Sequence, residues 1–112
     1  MLPFAVQMPP APPPPARMLV FSDEFRFSSS RRALPAGLLR LQLKNIGEDE
    51  HDLRIMGPRG APRAETGVIE SDGLGEIRTR LGRGRYTFLC TVADHAERGM
   101  RFTVTVTRPA RH

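Results

Sequence analysis

Cys90, His95 and Met100 lie in the stretch "CTVADHAERGM" at the spacing Cys-x4-His-x4-Met. Thiolate and thioether are soft donors and imidazole is borderline, so the three together can serve a soft or borderline metal ion. Cys90 is the single cysteine of the chain, which excludes an internal disulfide and any Cys-x-x-Cys zinc or redox motif. Three roles remain for it: inert core thiol, nucleophile or ligand. A lone cysteine on an apolar strand is most often inert, but the regular spacing to His95 and Met100 favours the ligand. A fourth donor must come from elsewhere. His51 stands just after the turn cluster "NIGEDE", at the start of the alternating segment "HDLRIMG", where a strand end can bring it to the other three.

Two imidazoles, one thiolate and one thioether form a narrow set. It suits copper in both oxidation states, with three strong ligands in a plane and a weak, long methionine, the geometry of electron-transfer copper. Three rivals stand beside that reading. A Cys-His pair can attack an acyl carbon, but such an enzyme needs a substrate groove and an oxyanion hole, for which 112 residues leave little room. A structural zinc ion would use His51, Cys90 and His95 and leave Met100 idle. A copper carrier or store would need an open, methionine-rich site for release.

The elements that must position these residues are strands. "LLRLQLKN" puts Leu39, Leu41 and Leu43 on one face and Arg40, Gln42 and Lys44 on the other, a half-buried strand between the turns "LPAG" and "NIGEDE". "MLVFS", "EFRFS", "HDLRIMG", "TGVIE", "GEIRTRL", "YTFLCT" and "MRFTVTVT" are short apolar or alternating segments of the same kind. Tyr86, Phe88 and Cys90 share a face, as do Phe102, Val104 and Val106. Seven or eight strands with regular turn signals and no helical period predict an all-β, Greek-key β-sandwich. Residues 1–16, with six prolines between Pro9 and Pro15, read as a flexible proline-rich N-terminal spacer, and 17–112 as the folded domain.

The formal charge is +5, almost wholly from arginine, and suits acidic partners. Nucleic acid is not expected, because the six Phe and one Tyr do not interleave with arginine in a base-stacking pattern. No apolar run is long enough to span a membrane, and the first residues lack the basic region and apolar length of a signal peptide. Either the protein is cytosolic, or an export segment has been removed. Arg54, Arg59, Arg63, Arg83, Arg85, Arg98 and Arg101 offer a basic docking surface or a solvated face. His112 reads as solvated tail, Met18 as without a ligand-like setting, Met56 as packing near the metal end, and Met1 and Met8 as leader.

Across about residues 17–107 the chain resembles the cupredoxins, the type 1 or blue copper proteins. "LPAGLLRLQLKNIGEDEHDLRI" is similar to their ligand-histidine segment, "LGRGRYTFLC" to the strand delivering the cysteine, and "CTVADHAERGM" to the ligand loop, with a spacing closest to rusticyanin-like members. The resemblance implies one copper ion held by His51, Cys90 and His95 with Met100 axial, and one-electron transfer rather than catalysis. It implies for Asn45 a side chain that ties the two ligand-bearing loops together. It also implies a periplasmic or extracytoplasmic location and brief contacts with a redox partner such as a cytochrome or oxidase, the protein itself being a monomer. His95 is the expected electron exit, with Ala93, Ala96, Pro58 and Met56 as its apolar surroundings. Ala93-Asp94 stands where family members commonly have Pro-Gly, and a carboxylate at Asp94 is expected to favour the oxidised, more positive site.

Overall fold

Alternation along short segments, with loops supplying the polar ends, produces two packed sheets in the computed structural model, which describes Pro9 and residues 11–109. Nine strands form among the described residues: β1 (Ala16–Asp23), β2 (Arg26–Ser29), β3 (Ala33–Pro35), β4 (Gly37–Asn45), β5 (Arg54–Met56), β6 (Pro62–Glu65), β7 (Leu74–Leu81), β8 (Gly84–Leu89) and β9 (Arg101–Thr107). One sheet has the order β2-β1-β4-β7 and the other β3-β9-β8-β5-β6. The chain passes repeatedly from one sheet to the other, so β1 lies parallel to β4 and β3 parallel to β9. No helix among the described residues is long and apolar enough to cross a membrane.

The period-2 patterns bury the rows they predict. Leu39, Leu41 and Leu43 from β4 meet Phe88, Cys90, Val104 and Val106 from the facing sheet, all at most 3% exposed. Arg40, Gln42 and Lys44 keep partial exposure on the outer face. The expected sandwich is therefore present, with nine strands rather than seven or eight. The extra strands, β3 and β6, fall in segments read as a turn and a loop, and both occupy sheet edges. Pro35 and Pro62 are tolerated there because an edge residue need not donate to a second neighbour. Conversely, "TGVIE" forms no strand, and the strand within "HDLRIMG" is confined to Arg54–Met56. His51 and Ile69 make only an isolated antiparallel bridge.

Pro9 and residues 11–15 belong to no strand, and β1 opens at Ala16. The expectations for the rest of the leader, with Met1 and Met8, and for His112 lie outside the described residues. Strands β1 and β4 end together, with Ser22 opposite Asn45, while β7 begins at Leu74 opposite Lys44. In the other sheet β8 ends at Leu89, opposite the first residue of β9, Arg101. The loops at these strand ends carry the candidate ligands.

One buried group near this end is unsatisfied: Ser22, fully buried on β1, has a hydroxyl with no hydrogen-bond partner among the described residues. Ser22→Ala should therefore leave stability level or raise it by about 1 kcal/mol. Leu41→Ala, which opens a cavity at the centre of β4, should cost about 2–5 kcal/mol. Denaturant unfolding of the two variants checks both signs, and a clear loss for Ser22→Ala would show that its hydroxyl is paired in solution.

Candidate metal centre

Cys90 leaves the end of β8 and Met100 immediately precedes β9, so the loop between them starts and finishes on neighbouring strands. The Cys90 N–H donates to the Met100 carbonyl at 3.1 Å, which clamps the loop shut. Inside it the His95 N–H donates to Val92 O at 3.0 Å and the Met100 N–H to His95 O at 3.0 Å. These bonds build a compact turn with His95 pointing inward. The Ala93-Asp94 sequence accommodates this turn by placing Ala93 at φ 44°, a left-handed conformation that costs an alanine about 1 kcal/mol or more. His51 is fixed by two backbone bonds, its N–H to Ile69 O at 3.1 Å and its carbonyl from Ile69 N–H at 2.7 Å.

Three of the four predicted ligands come together. His51 Nδ1 lies 3.2 Å from His95 Nδ1, and Cys90 Sγ lies 3.6 Å from the same nitrogen. One donor atom from each of the three residues falls within 4.8 Å of the others, and the residues are 0%, 1% and 6% exposed. Nitrogen and thiolate ligands bind an ion of this class at about 2.0–2.3 Å, which sets donors roughly 3–4 Å apart. The trio therefore fits one small metal ion. Met100 is fully buried at the end of the same loop, with its backbone bonded to both Cys90 and His95.

The hydrogen bonds around the trio differ from those expected. Asn45 does not join the two ligand loops: its Nδ2 donates to Asp49 O at 2.8 Å and Ile69 O at 3.0 Å, while its Oδ1 accepts from Gly47 N–H at 2.9 Å. It shapes the turn before His51. The link between the loops is Asp52, whose carboxylate accepts both the N–H and the hydroxyl of Thr91. Asp52 is 3% exposed and directly follows His51, as Thr91 follows Cys90. Sequence reading missed it because an Asp beside a turn looks like turn chemistry. It also missed Glu24, whose Oε1 lies 3.1 Å from His51 Nε2 and accepts the Asp49 N–H at 2.7 Å. The Asp49 N–H, with further hydrogen bonds from Glu48 and His51, holds the Glu24 carboxyl down to about 2. Burial pushes the Cys90 thiol above its ordinary value.

The surroundings of His95 also depart from expectation. Pro58 packs beside Gly84 at the start of β8, the opposite end of that strand from Cys90. Six residues of strand put Pro58 roughly 20 Å away, and Met56, paired with Thr87, lies part of the way along. Arg59, Arg63, Arg83 and Arg85 belong to that far end too. Phe25 instead covers His95, with ring centroids 5.0 Å apart, and the Arg98 guanidinium lies 4.8 Å from the centroid of Phe25. Arg98 Nε also donates to Asp94 at 2.8 Å, which holds the Asp94 carboxyl below its ordinary range and offsets the charge expected to act on the site. Carboxylates crowd these loops: Asp23, Glu24, Glu48, Asp49, Glu50, Asp52, Glu70, Asp72, Asp94 and Glu97, leaving only Glu65 and Glu76 of the 12 elsewhere. Among the described residues Arg98 is the only cation within the loops 46–53, 66–73 and 90–100, and Arg26, Lys44, Arg54 and Arg101 border them at the strand ends, fewer than the ten carboxylates.

No protein-family model and no curated protein sequence matches this chain. Solved structures do. Auracyanin from the photosynthetic bacterium Roseiflexus castenholzii is 21% identical, with a TM-score of 0.67 over 80% of this chain and 94% of that one. Auracyanin A from Chloroflexus aurantiacus, described as a "blue" copper protein, is 19% identical, with a TM-score of 0.69 over 84% of this chain and 100% of that one. Rusticyanin from Thiobacillus ferrooxidans is 16% identical, with a TM-score of 0.66 over 81% and 77%. The chain has the cupredoxin fold implied by its motifs.

The buried, protonated thiol makes a reactivity prediction. In metal-free protein Cys90 should alkylate with iodoacetamide more slowly at pH 7 than free cysteine, because less of it is thiolate, and the rate should climb as pH rises toward the raised value. Fast neutral-pH alkylation would mark an activated nucleophile instead.

Proposed function

We propose that this domain is a mononuclear type 1 copper protein that carries single electrons, whose copper would be held by His51, Cys90 and His95, with Met100 as a weaker fourth donor. The observation that carries the reading is the convergence of two imidazole nitrogens and one thiol sulfur in a buried pocket. It occurs on a fold shared with a protein described as a "blue" copper protein. Copper bound there supplies one reversible electron. The chain's own part is to hold the donors still in both oxidation states, and the closed Cys90–Met100 loop and the Asp52–Thr91 tie both resist movement. Burial keeps water off the pocket, which suits passing an electron better than binding and converting a substrate.

Electrons leave through His95, the ligand nearest the surface of the loop end, past the partly buried ring of Phe25 and the neighbouring Ala93 and Ala96. The surrounding carboxylates favour a redox partner with a basic contact surface, not the acidic one that the net charge alone suggests. Contact of this type is small and brief, and the charge steers encounter more than it adds affinity. The resemblance favours an extracytoplasmic setting for this exchange.

Cu(II) added to purified metal-free protein should produce an intense visible copper-thiolate absorption that Cys90→Ser lacks. A colourless protein that retains stoichiometric zinc after expression with copper present would sink the reading in favour of a structural zinc site. For the docking face, electron transfer to a basic redox protein should slow as salt shortens the Debye length below about 10 Å. Rates that rise with salt would place the contact on the arginine-rich end.

A further inference from the structure

The His51 ring is fully buried, yet both of its nitrogens have a neighbour: Nδ1 faces His95 and Nε2 faces Glu24. Glu24 comes from the tip of the β1–β2 turn, in the other sheet from Cys90, and several groups hold it in place. Asp23 Oδ1 accepts the Glu24 N–H at 2.8 Å, and the carboxylate is shared between the Asp49 N–H and His51. The space it occupies exists because residue 47 is glycine: a Cβ there would run into the Glu24 carboxylate. Gly47 is itself pinned, its N–H by Asn45 Oδ1 and its carbonyl by the Ser71 hydroxyl at 2.6 Å. A cradle of this kind, in which the 46–53 loop surrounds a carboxylate from the β1–β2 turn and Ser71 braces that loop from behind, is more than an exposed acid happening to lie near a histidine.

We propose that Glu24 is a positioning residue for the metal centre: its carboxylate holds the Nε2 proton of His51, leaves Nδ1 free for the ion, and biases that ion toward its higher oxidation state. The physical ground is that a carboxylate on the far nitrogen fixes the tautomer and raises the basicity of a ligating imidazole. A more electron-rich ligand and a nearby negative charge both stabilise the more positive ion. Without Glu24, the buried Nε2–H would lose its partner or the ring would adopt the other tautomer, with the proton on the ligating nitrogen. The redox part rests on the copper reading; the tautomer part does not.

The test uses the whole chain in three forms besides wild type: Glu24→Gln, which keeps an oxygen acceptor but removes the charge, Glu24→Ala, and Gly47→Ala, which crowds the carboxylate without touching it chemically. In metal-free protein, nitrogen NMR of the imidazoles should report His51 as Nε2–H in wild type and Glu24→Gln, with that state lost in Glu24→Ala. After copper loading, Glu24→Gln should shift the Cu(II)-over-Cu(I) preference by about tenfold toward Cu(I), a rise of about 59 mV for one electron. Gly47→Ala should move the potential in the same direction. A wild-type His51 carrying its proton on Nδ1 would overturn the positioning role, and an unchanged potential in both Glu24 variants with a normal spectrum would overturn the redox bias. If wild type binds no copper at all, the electron-carrier reading falls while the imidazole spectra still decide what Glu24 does.

Discussion

Two imidazoles and a thiol nearly sealed from water impose the constraint on which the rest of the metal end depends. A buried polar group costs about 1–3 kcal/mol if it lacks a partner, so a pocket of donors kept ready for an ion must satisfy every polar atom that faces away from the ion. His51 turns one nitrogen inward and offers the other to Glu24. Its backbone is satisfied by Ile69, and Ile69 O is in turn shared with the Asn45 amide. Asp52 spends its carboxylate on Thr91, whose position follows that of Cys90. The hydrogen bonds therefore run outward from the ligands through successive loops, and each loop is shaped by what the inner one leaves unpaired.

This outward order explains what was legible in the sequence. The sandwich was readable because its core rows repeat every second residue: Leu39, Leu41 and Leu43 need no knowledge of their partners to be assigned to one face. The clustering of candidate donors on one loop was readable because Cys90, His95 and Met100 are rare types at regular spacing within one segment. Glu24 was not, since its role depends on a turn 27 residues away in sequence coming to rest against His51, and no local pattern marks that. Asn45 was found but given the wrong span, because the resemblance supplied its importance while the geometry of the 45–49 turn decides where its amide reaches. The edge strands β3 and β6 escaped for a different reason. Each is only three or four residues long and carries a proline, and each exists because a longer neighbour offers an open edge.

Net charge misled where its distribution informs. A chain with 17 basic and 12 acidic residues reads as a ligand for acidic surfaces, but ten of the acids are gathered at the strand ends around the candidate ligands, where among the described residues only Arg26, Lys44, Arg54, Arg98 and Arg101 accompany them. Some of that gathering has local causes. Glu24 and Asp52 accept hydrogen bonds, and Asp72 and Asp94 pair with Lys44 and Arg98 at 2.9 and 2.8 Å. Glu48, Glu50 and Glu97 are exposed and have no such partner among the described residues, and they leave the loop end with a field of its own. Exposed charges more than a Debye length apart are largely screened, so an approaching protein meets this end and not the whole-chain average.

The proposed role as an electron carrier also sets shielding against access. Burial limits the reorganisation of the site and keeps water and stray oxidants off the sulfur, but electron transfer needs a ligand close to the partner. Here His95 is 6% exposed and roofed by Phe25. The ring is a compromise: it excludes water from the imidazole as an aliphatic side chain would, yet places a flat apolar surface directly against the ligand. Arg98 over the outer face of Phe25 adds a cation–π contact, and its bond to Asp94 anchors the guanidinium to the loop that carries His95. The roof is therefore fastened to the element it covers, so shielding does not depend on a separate mobile segment closing over the site.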